Sequence, residues 1–294
     1  MSATPSPSYR QSEDSYTGKS QSQKDRKEEN MKLGVIGAGN MASAIIGGIV
    51  KKGLIEGEDI ICSSPVKAER DKAQLAYGIR VTENNRETVR ESDIIIFAVK
   101  PQVISRVVEE IKLDIDDEKL FISIVAGKSI EWFETAAGKS FKIIRTMPNT
   151  PALVGEGMTG VCPNTKVEQD DLEKALEILS SLGKAAVVPE SLMDAVVAVS
   201  GSSPAYVFLM IEAMADGAVR LGMPRAMAYK FAAQAVYGSA KMVLETGKHP
   251  AELKDMVCSP AGTTIEAVRV LEDLGFRSSL IEAMDACAEV SKKL

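Results

Sequence analysis

The sequence predicts an α/β fold, a doubly wound parallel sheet followed by an all-α C-terminal domain. Short apolar runs alternate with amphipathic stretches as far as about residue 167, and beyond that point strand signals nearly vanish. A length of 294 residues favours two domains, and a hydrophobic share of 45% is enough for ordinary globular cores. The first domain should therefore hold the sheet, and the second should be helical.

Continuous apolar runs mark the strands of the first domain. The clearest run, DIIIFAV at 93–99, is typical of a parallel strand that helices cover on both faces. Helices predicted at 40–52 and 66–76 lie between such runs, as right-handed crossovers require. The predicted strands are 32–37, 59–62, 93–99, 120–125 and 142–145.

Amphipathic and Ala-rich stretches predict mainly helices after about residue 167. The helix at 225–245 is apolar around much of its circumference, and a domain of about 100 residues has little interior to bury it. We therefore expect a partner subunit, with a compact bundle within one chain as the alternative. The predicted helices are 169–182, 192–199, 205–221, 225–245, 251–256, 263–272 and 276–293, with one strand at 185–188.

The predicted organisation is a tail at 1–30, a first domain at 31–190 and a second at 191–294. Residues 1–30 are rich in Ser and balanced charge and leave almost nothing to bury, so we expect a disordered tail. The tail lacks the apolar segment of a signal peptide and carries acidic residues that transit peptides avoid. An extension without catalytic consequence is the simpler interpretation, and a regulatory tail is the alternative.

The composition argues against several classes of function. Lys and Arg number 35 against 41 Asp and Glu, and a chain of charge −6 without a basic run is a poor nucleic-acid binder. We expect no apolar stretch to approach the roughly 18–20 residues of a membrane helix, and hence no membrane partner. Four dispersed cysteines and the single His249 argue against a disulfide framework and against any metal site. These features favour the cytoplasm.

A glycine-rich turn follows the first predicted strand and opens the first predicted helix. It fits G-x-G-x-x-G/A, and in this context the pattern predicts a Rossmann-type dinucleotide site. The first Gly permits a tight turn, the second lets the backbone approach a pyrophosphate, and the Ala allows close helix packing. A glycine turn in an unrelated α/β fold is the alternative. The residues are Gly37, Ala38, Gly39, Asn40, Met41 and Ala42.

The end of the second strand bears on the choice of cofactor. An NAD site usually places Asp or Glu there for the ribose hydroxyls, whereas this strand ends in Ser63 and Ser64 with no acid. The two hydroxyls could bind a 2′-phosphate, and Lys67 or Arg70 could add positive charge. We therefore expect NADPH, with NADH as an alternative donor, although the two basic residues could simply be solvated.

Two further loops follow strands at the edge where doubly wound folds bind ligands. Small residues and backbone donors at three strand ends predict one continuous cofactor cleft. The loops contribute Ala98, Val99, Lys100 and Pro101 after one strand, and Ala126 and Gly127 after the next.

Three polar segments are candidates for substrate chemistry. Segment 145–151 is a rigid turn at the sheet edge, or a plain interdomain connector, and segment 200–206 joins two predicted helices. Segment 259–264 has the composition of a helix N-terminus that holds an anion, where a small carboxylate would fit without an arginine. Simple N-capping by Ser259 or Thr263 is the alternative.

A set of longer motifs runs through both domains over about residues 31–292. The set comprises GAGNMA, AVKPQ, RTMPNTP, SGSSPAYVF, LGMPRAMA, HPAELKDMV, CSPAGTTIEA and GFRS. In order and spacing it resembles the pyrroline-5-carboxylate reductase family. The resemblance implies NAD(P)H-dependent reduction of a C=N bond, from 1-pyrroline-5-carboxylate to L-proline, the last step of proline biosynthesis. It also implies a dimerisation domain and a homodimer or larger homo-oligomer.

The resemblance further implies roles for individual residues. Ser63 and Ser64 would neighbour the 2′-phosphate, Asn85 would contact the nucleoside, and Glu190 would contact the substrate. From the chemistry of a cyclic imine we hypothesise that Thr264 hydrogen-bonds the ring nitrogen and helps to deliver the proton, as the catalytic residue. The implied substrate loop comprises Ser259, Gly262, Thr263 and Thr264.

Three positions depart from the family pattern. Ser203 and Ala261 stand where the family commonly has Gly, and Met256 stands where some members carry Asn. The first two changes each add one small group, so the backbone should be retained unless φ is positive there. The third weakens any expectation of a polar contact at that position.

Two other classes of function stay open at this point. A hydroxyacid dehydrogenase usually has a catalytic Lys on a helix of its second domain, and Lys230 and Lys241 lie on such a helix without a catalytic motif. A nucleotide-sensing protein would use the fold for binding alone. Segments 145–151 and 259–264 argue against that second alternative.

Overall fold

An eight-stranded sheet occupies the first part of the chain, in the order β3-β2-β1-β4-β5-β6-β7-β8. The computed structural model describes residues 31–293, so the tail expected at 1–30 lies outside the described residues. The strands are β1 (Leu33–Ile36), β2 (Ile60–Ser63), β3 (Arg80–Thr82), β4 (Ile94–Phe97), β5 (Leu120–Ser123), β6 (Ile143–Met147), β7 (Gly157–Pro163) and β8 (Gly183–Val187).

The sheet is parallel except for one pair, which the sequence analysis did not predict. Strands β6 and β7 are antiparallel, with Thr146 opposite Val161. The chain between Met147 and Gly157 is too short for a crossover helix, since a parallel return needs about a dozen residues or more. The sequence analysis missed β3 and β7, because β3 has three residues and β7 interrupts its apolar residues with Gly and Thr.

Helices pack on both faces of the sheet, as the doubly wound prediction requires. On one face α1 buries Ile45 and Ile49 beside Ile178 of α6. On the other face, α4 and α5 bury Val108 and Phe133. The helices are α1 (Asn40–Lys52), α2 (Lys67–Tyr77), α3 (Asn85–Arg90), α4 (Pro101–Ile111), α5 (Ile130–Ala137), α6 (Gln169–Ser180), α7 (Met193–Val196), α8 (Ser203–Arg220), α9 (Arg225–Thr246), α10 (Pro250–Val257), α11 (Thr263–Asp273) and α12 (Phe276–Ser291).

The second part of the chain is helical and leaves much apolar surface exposed. Helices α8 and α9 pack against each other, yet Phe208 and Phe231 on them are 62% and 64% exposed. By length and composition alone, the stretch Glu190–Arg220 could cross a membrane, so the expectation that no apolar run approaches that length was wrong. This stretch joins α7 to α8 through a π-helical turn, Val197–Gly201, and most of it is uncovered in the single chain.

We predict that Phe121→Ala lowers the free energy of unfolding by about 3–5 kcal/mol, because the deletion leaves a cavity in the core. Phe121 is fully buried, with its ring centroid 5.6 Å from that of Phe97 and 5.1 Å from that of Phe141. Urea unfolding at fixed protein concentration measures the change. The control Leu75→Ala, at a side chain 91% exposed, should stay within about 0.5 kcal/mol of wild type. Equal stability of the two variants would contradict this description of the core.

Candidate cofactor and substrate site

One cavity of about 410 Å³ lies where the loops after β1, β4 and β5 meet the segment after β6. We call it the strand-end cleft. Eight residues predicted from the sequence line it: Gly39, Asn40, Met41, Ala98, Val99, Lys100, Pro101 and Ala126. Six further residues line it, and all of them except Ile124 fall in the candidate substrate segments 145–151 and 200–206: Ile124, Met147, Pro148, Asn149, Thr150 and Gly201.

The glycine turn has the shape of a phosphate cradle. Gly37 has φ +107°, and a Cβ there would lie 2.5 Å from the carbonyl oxygen of Ala98, so only glycine fits. Gly39 is the N-cap of α1 and provides no side-chain cap, and a Cβ on it would meet nothing within 4 Å. The first turn of α1 holds no acidic residue, which leaves its N–H groups and the helix dipole available to an anion. These residues fit a dinucleotide pyrophosphate.

The remaining predicted cofactor residues lie in different surroundings. Ala42 is fully buried, as close packing of α1 on the sheet requires. Gly37 and Ala38 form the turn itself, and Gly127, at φ +74°, follows Ala126 out of the cleft. Because Gly37 N–H donates to the carbonyl of Ser63 at 2.8 Å, the end of β2 lies beside the turn.

The implied nucleoside contacts are joined to each other. Ser63 donates a hydrogen bond from Oγ to Oδ1 of Asn85 at 2.8 Å, and Asn85 in turn donates from Nδ2 to Glu110 at 2.9 Å. Asn85 begins α3, a helix that the sequence analysis did not predict. These bonds fix the Asn85 amide at the end of β2, and its contact with a nucleoside stays a prediction.

Strand β2 ends in serines, as expected, but the structure brings an acid from the next helix to this strand end. Glu69, in the first turn of α2, accepts a hydrogen bond from Ser64 Oγ at 2.6 Å. Burial, with a smaller contribution from the charge of Glu69, raises the pKa of the Cys62 thiol to about 12. The sequence signal for this contact was weak, because it depends on a side chain of the next helix pointing back toward the helix N-terminus.

The two basic residues nominated for a 2′-phosphate already have partners. Lys67 pairs with Asp71 at 2.7 Å. Arg70 donates to the carbonyl of Ser64 at 2.5 Å and lies 3.7 Å from the carboxylate of Glu83. The positive charges of Lys67 and Arg70, beside the end of β2, are therefore largely neutralised by carboxylates.

Segment 145–151 is more than a connector, since its middle residues line the strand-end cleft. Asn149 is nearly buried, and its Nδ2 donates to both the carbonyl and Oγ of Ser200 at 3.2 Å. Its Oδ1 accepts from Met158 N–H at 2.9 Å. The amide thereby ties the strand-end cleft to the π-helical turn, and Gly201 of that turn lies so close to Met147 that a Cβ would approach its Cε within 2.6 Å. No local sequence pattern specifies this contact.

The predicted substrate loop ends in an uncapped helix. The N-cap of α11 is Gly262 without a side-chain cap, which removes the alternative of capping by Ser259 or Thr263. Thr263 and Thr264 are the first two residues of α11, where N–H groups lack intrahelical acceptors. None of the predicted substrate-loop residues lines the strand-end cleft of the same chain.

Ala261 carries backbone strain. Its φ is +55°, and among the described residues it is the one residue other than glycine with a positive φ. A left-handed alanine costs roughly 1–2 kcal/mol. The alanine that replaces the family's glycine at 261 therefore stands where φ is positive, the case in which the added methyl group causes strain. Ser203, the other replacement of a glycine, begins α8 and has no positive φ.

Glu190 lies at a different place from the other predicted site residues. Its Oε1 accepts from Arg145 Nη1 at 3.0 Å and from Ile130 N–H at 2.9 Å. It lines a second cavity of about 570 Å³ with Glu134 and Asn164, and the strand-end cleft does not include it. In the described chain it joins β6, α5 and the start of the helical region, and its contact with substrate stays a prediction.

Two further candidates, His249 and Lys241, have structural roles. His249 is the N-cap of α10, with Nδ1 accepting from Ala251 N–H at 3.2 Å. Lys241 lies on the exposed surface of α9 and pairs with Glu245 at 3.5 Å. Neither arrangement resembles a catalytic constellation.

Comparisons with known proteins account for both parts of the chain. Residues 190–294 match a family model described as pyrroline-5-carboxylate reductase dimerisation. Residues 32–127 match one described as NADP oxidoreductase coenzyme F420-dependent. The exposed apolar stretch Glu190–Arg220 falls within the dimerisation match, so a partner subunit is the natural cover for it.

Relatives that align over most of the chain belong to the same family. The pyrroline-5-carboxylate reductase of Escherichia coli is 52% identical over 263 residues, covering 90% of this chain and 98% of the relative. A solved pyrroline-5-carboxylate reductase from Coxiella burnetii aligns at a TM-score of 0.85 and 34% identity, covering 90% and 98% of the two chains. That of Plasmodium falciparum, solved with NADP bound, aligns at 0.82 and 35%, with the same coverage. The chain belongs to the pyrroline-5-carboxylate reductase family.

Proposed function

We propose that this chain reduces 1-pyrroline-5-carboxylate to L-proline, with NADPH as hydride donor and NADH as an alternative. The observation that carries the proposal is the uncapped N-terminus of α1 at Gly39, which opens into the strand-end cleft. Family membership supplies the substrate class, and the Plasmodium relative supplies the precedent for NADP. The free cysteines at 62, 162, 258 and 287 fit the reducing cytoplasm, where we place the reaction.

The strand-end cleft holds and orients the cofactor. Free N–H groups at the start of α1 bind the pyrophosphate, and the backbone after β4 and β5 lines the way to the reacting end. When bound, the reduced nicotinamide supplies the hydride that adds to the imine carbon. Placing donor and acceptor carbons in contact accounts for up to several kcal/mol of the barrier reduction.

The start of α11 holds the substrate. N–H groups of Thr263 and Thr264 bind the carboxylate, since the helix start is uncapped, and Gly262 closes the turn by donating its N–H to the Ser259 carbonyl at 3.0 Å. The hydroxyl of Thr264 hydrogen-bonds the ring nitrogen and orients the proton that makes the imine carbon electrophilic. No histidine is required, in agreement with His249 serving as a helix cap.

A second copy of the chain brings the substrate loop to the strand-end cleft. Two observations support this step: Ser259 and Thr263 are exposed in the single chain, and the cleft lining contains neither of them. The exposed aromatic side chains of α8 and α9 provide the surface through which two copies interlock. Each active site would then combine the sheet of one subunit with α11 of the other.

We predict that Thr264→Ala lowers kcat by about 100-fold, because proton delivery to the ring nitrogen is lost. The measurement is NADPH oxidation with DL-pyrroline-5-carboxylate, with NADH in parallel. Thr264→Ser keeps the hydroxyl and should retain most of the activity, and NADPH binding should stay unchanged in both variants. Normal turnover by Thr264→Ala would reject the role of Thr264. Binding of NADPH without reduction by the wild type would favour nucleotide sensing instead.

A hybrid experiment tests the shared site. Gly39→Glu places a carboxylate in the pyrophosphate cradle, where the open space around Gly39 should let the variant fold. Inactive Gly39→Glu and inactive Thr264→Ala, dissociated and reassociated together, should recover about a quarter of wild-type activity, since half the random dimers carry one intact site. The double variant mixed with Thr264→Ala is the control and should recover none. Absence of recovery in the test mixture would show that each chain uses its own loop.

A further inference from the structure

We propose that Glu69 limits the preference for NADPH over NADH: its carboxylate accepts a hydrogen bond from the ribose 2′-hydroxyl of NADH and opposes the 2′-phosphate of NADPH. The inference rests on the cofactor part of the proposed function and is independent of the substrate.

The position of Glu69 is the first support. The residue belongs to the first turn of α2, six positions beyond the last residue of β2, and its side chain returns to the strand end. There it accepts the Ser64 hydroxyl at 2.6 Å. An acid at this corner is the usual acceptor for ribose hydroxyls in dinucleotide folds. Here it comes from the helix after β2, although the strand itself ends in serines.

The hydrogen bonding of Ser64 is the second support. Ser64 is 2% exposed, and its Oγ donates to Glu69 while accepting from Val66 N–H at 3.2 Å. A hydroxyl has one proton to donate, so Ser64 cannot donate to a phosphate while it is bound to Glu69. Binding of a 2′-phosphate by the Ser64 hydroxyl therefore requires this contact to break.

The charges of the corner are the third support. In the described part of the chain, no Lys or Arg nitrogen forms an ion pair with Glu69, whereas Lys67 pairs with Asp71 and Arg70 lies near Glu83. The Glu69 charge also contributes to the raised pKa of the Cys62 thiol at the same strand end. A 2′-phosphate arriving here would meet the Glu69 carboxylate, while the nearby Arg70 guanidinium is already shared between the Ser64 carbonyl and Glu83, so the two negative charges repel.

Binding titrations test the proposal without the imine substrate. NAD⁺ and NADP⁺ are titrated by calorimetry into the wild-type protein, Glu69→Gln and Glu58→Gln. Removing the charge at 69 should tighten NADP⁺ binding about tenfold and weaken NAD⁺ binding severalfold. Glu58 is an exposed acid in the turn before β2, at the opposite end of the same strand, so its variant should leave both constants unchanged.

A variant that keeps the charge at position 69 is the second control. Glu69→Asp retains the charge and should keep the wild-type preference between the two nucleotides, which guards against a general loss of folding. Equal changes in both nucleotides, or weaker NADP⁺ binding by Glu69→Gln, would overturn the proposal. A shift in preference by a protein that does not reduce 1-pyrroline-5-carboxylate would reject the proposed function and support the role of Glu69.

Discussion

The contact between Gly37 and the carbonyl of Ala98 sets the geometry on which the other parts of the site depend. Three strand ends converge at this point, because Gly37 N–H donates to the Ser63 carbonyl and Ala98 N–H donates to that of Ile36. No side chain fits between β1 and β4 here, so the chain turns sharply and α1 starts directly over the sheet edge. That start leaves the first N–H groups of α1 facing the strand-end cleft. The cofactor cradle is thus a consequence of close backbone packing.

A second constraint couples the sheet to the helical region. The Asn149 amide satisfies backbone and side-chain partners on both sides of the boundary, and the Arg145–Glu190 ion pair lies at the same boundary. Buried amides that lose such partners are costly, so the arrangement favours one relative placement of β6 and the π-helical turn. π-Helical turns occur frequently at functional sites. Here the turn presents Gly201 to the cleft, where a larger residue would collide with Met147.

The loop proposed to bind the substrate differs in construction from the glycine turn proposed to bind the cofactor. It consists of an exposed loop with a strained Ala261, followed by an uncapped helix start. Strain and unsatisfied N–H groups are features that a folded chain retains where binding compensates for them. The exposed apolar side chains of α8 and α9 are also unfavourable in the single chain, because they leave water only when another surface covers them. Both features agree with the proposal that two copies of the chain complete each site, and the dimerisation match supports a homo-oligomer.

The sequence by itself determined the doubly wound fold, the glycine turn, the helical second region and the family. These follow from local pattern: apolar runs for buried strands, G-x-G-x-x-A for the turn, and ordered motifs for the resemblance. The helix predicted at 40–52 has the same bounds in the structure, because Gly39 and Gly53 delimit it at both ends. Only the tertiary structure decided the antiparallel β7, the Glu69–Ser64 contact, the Asn149–Ser200 bridge and the positive φ of Ala261. Each of these depends on where separate elements meet, or on a backbone angle that packing imposes, and no periodicity or residue spacing encodes such information.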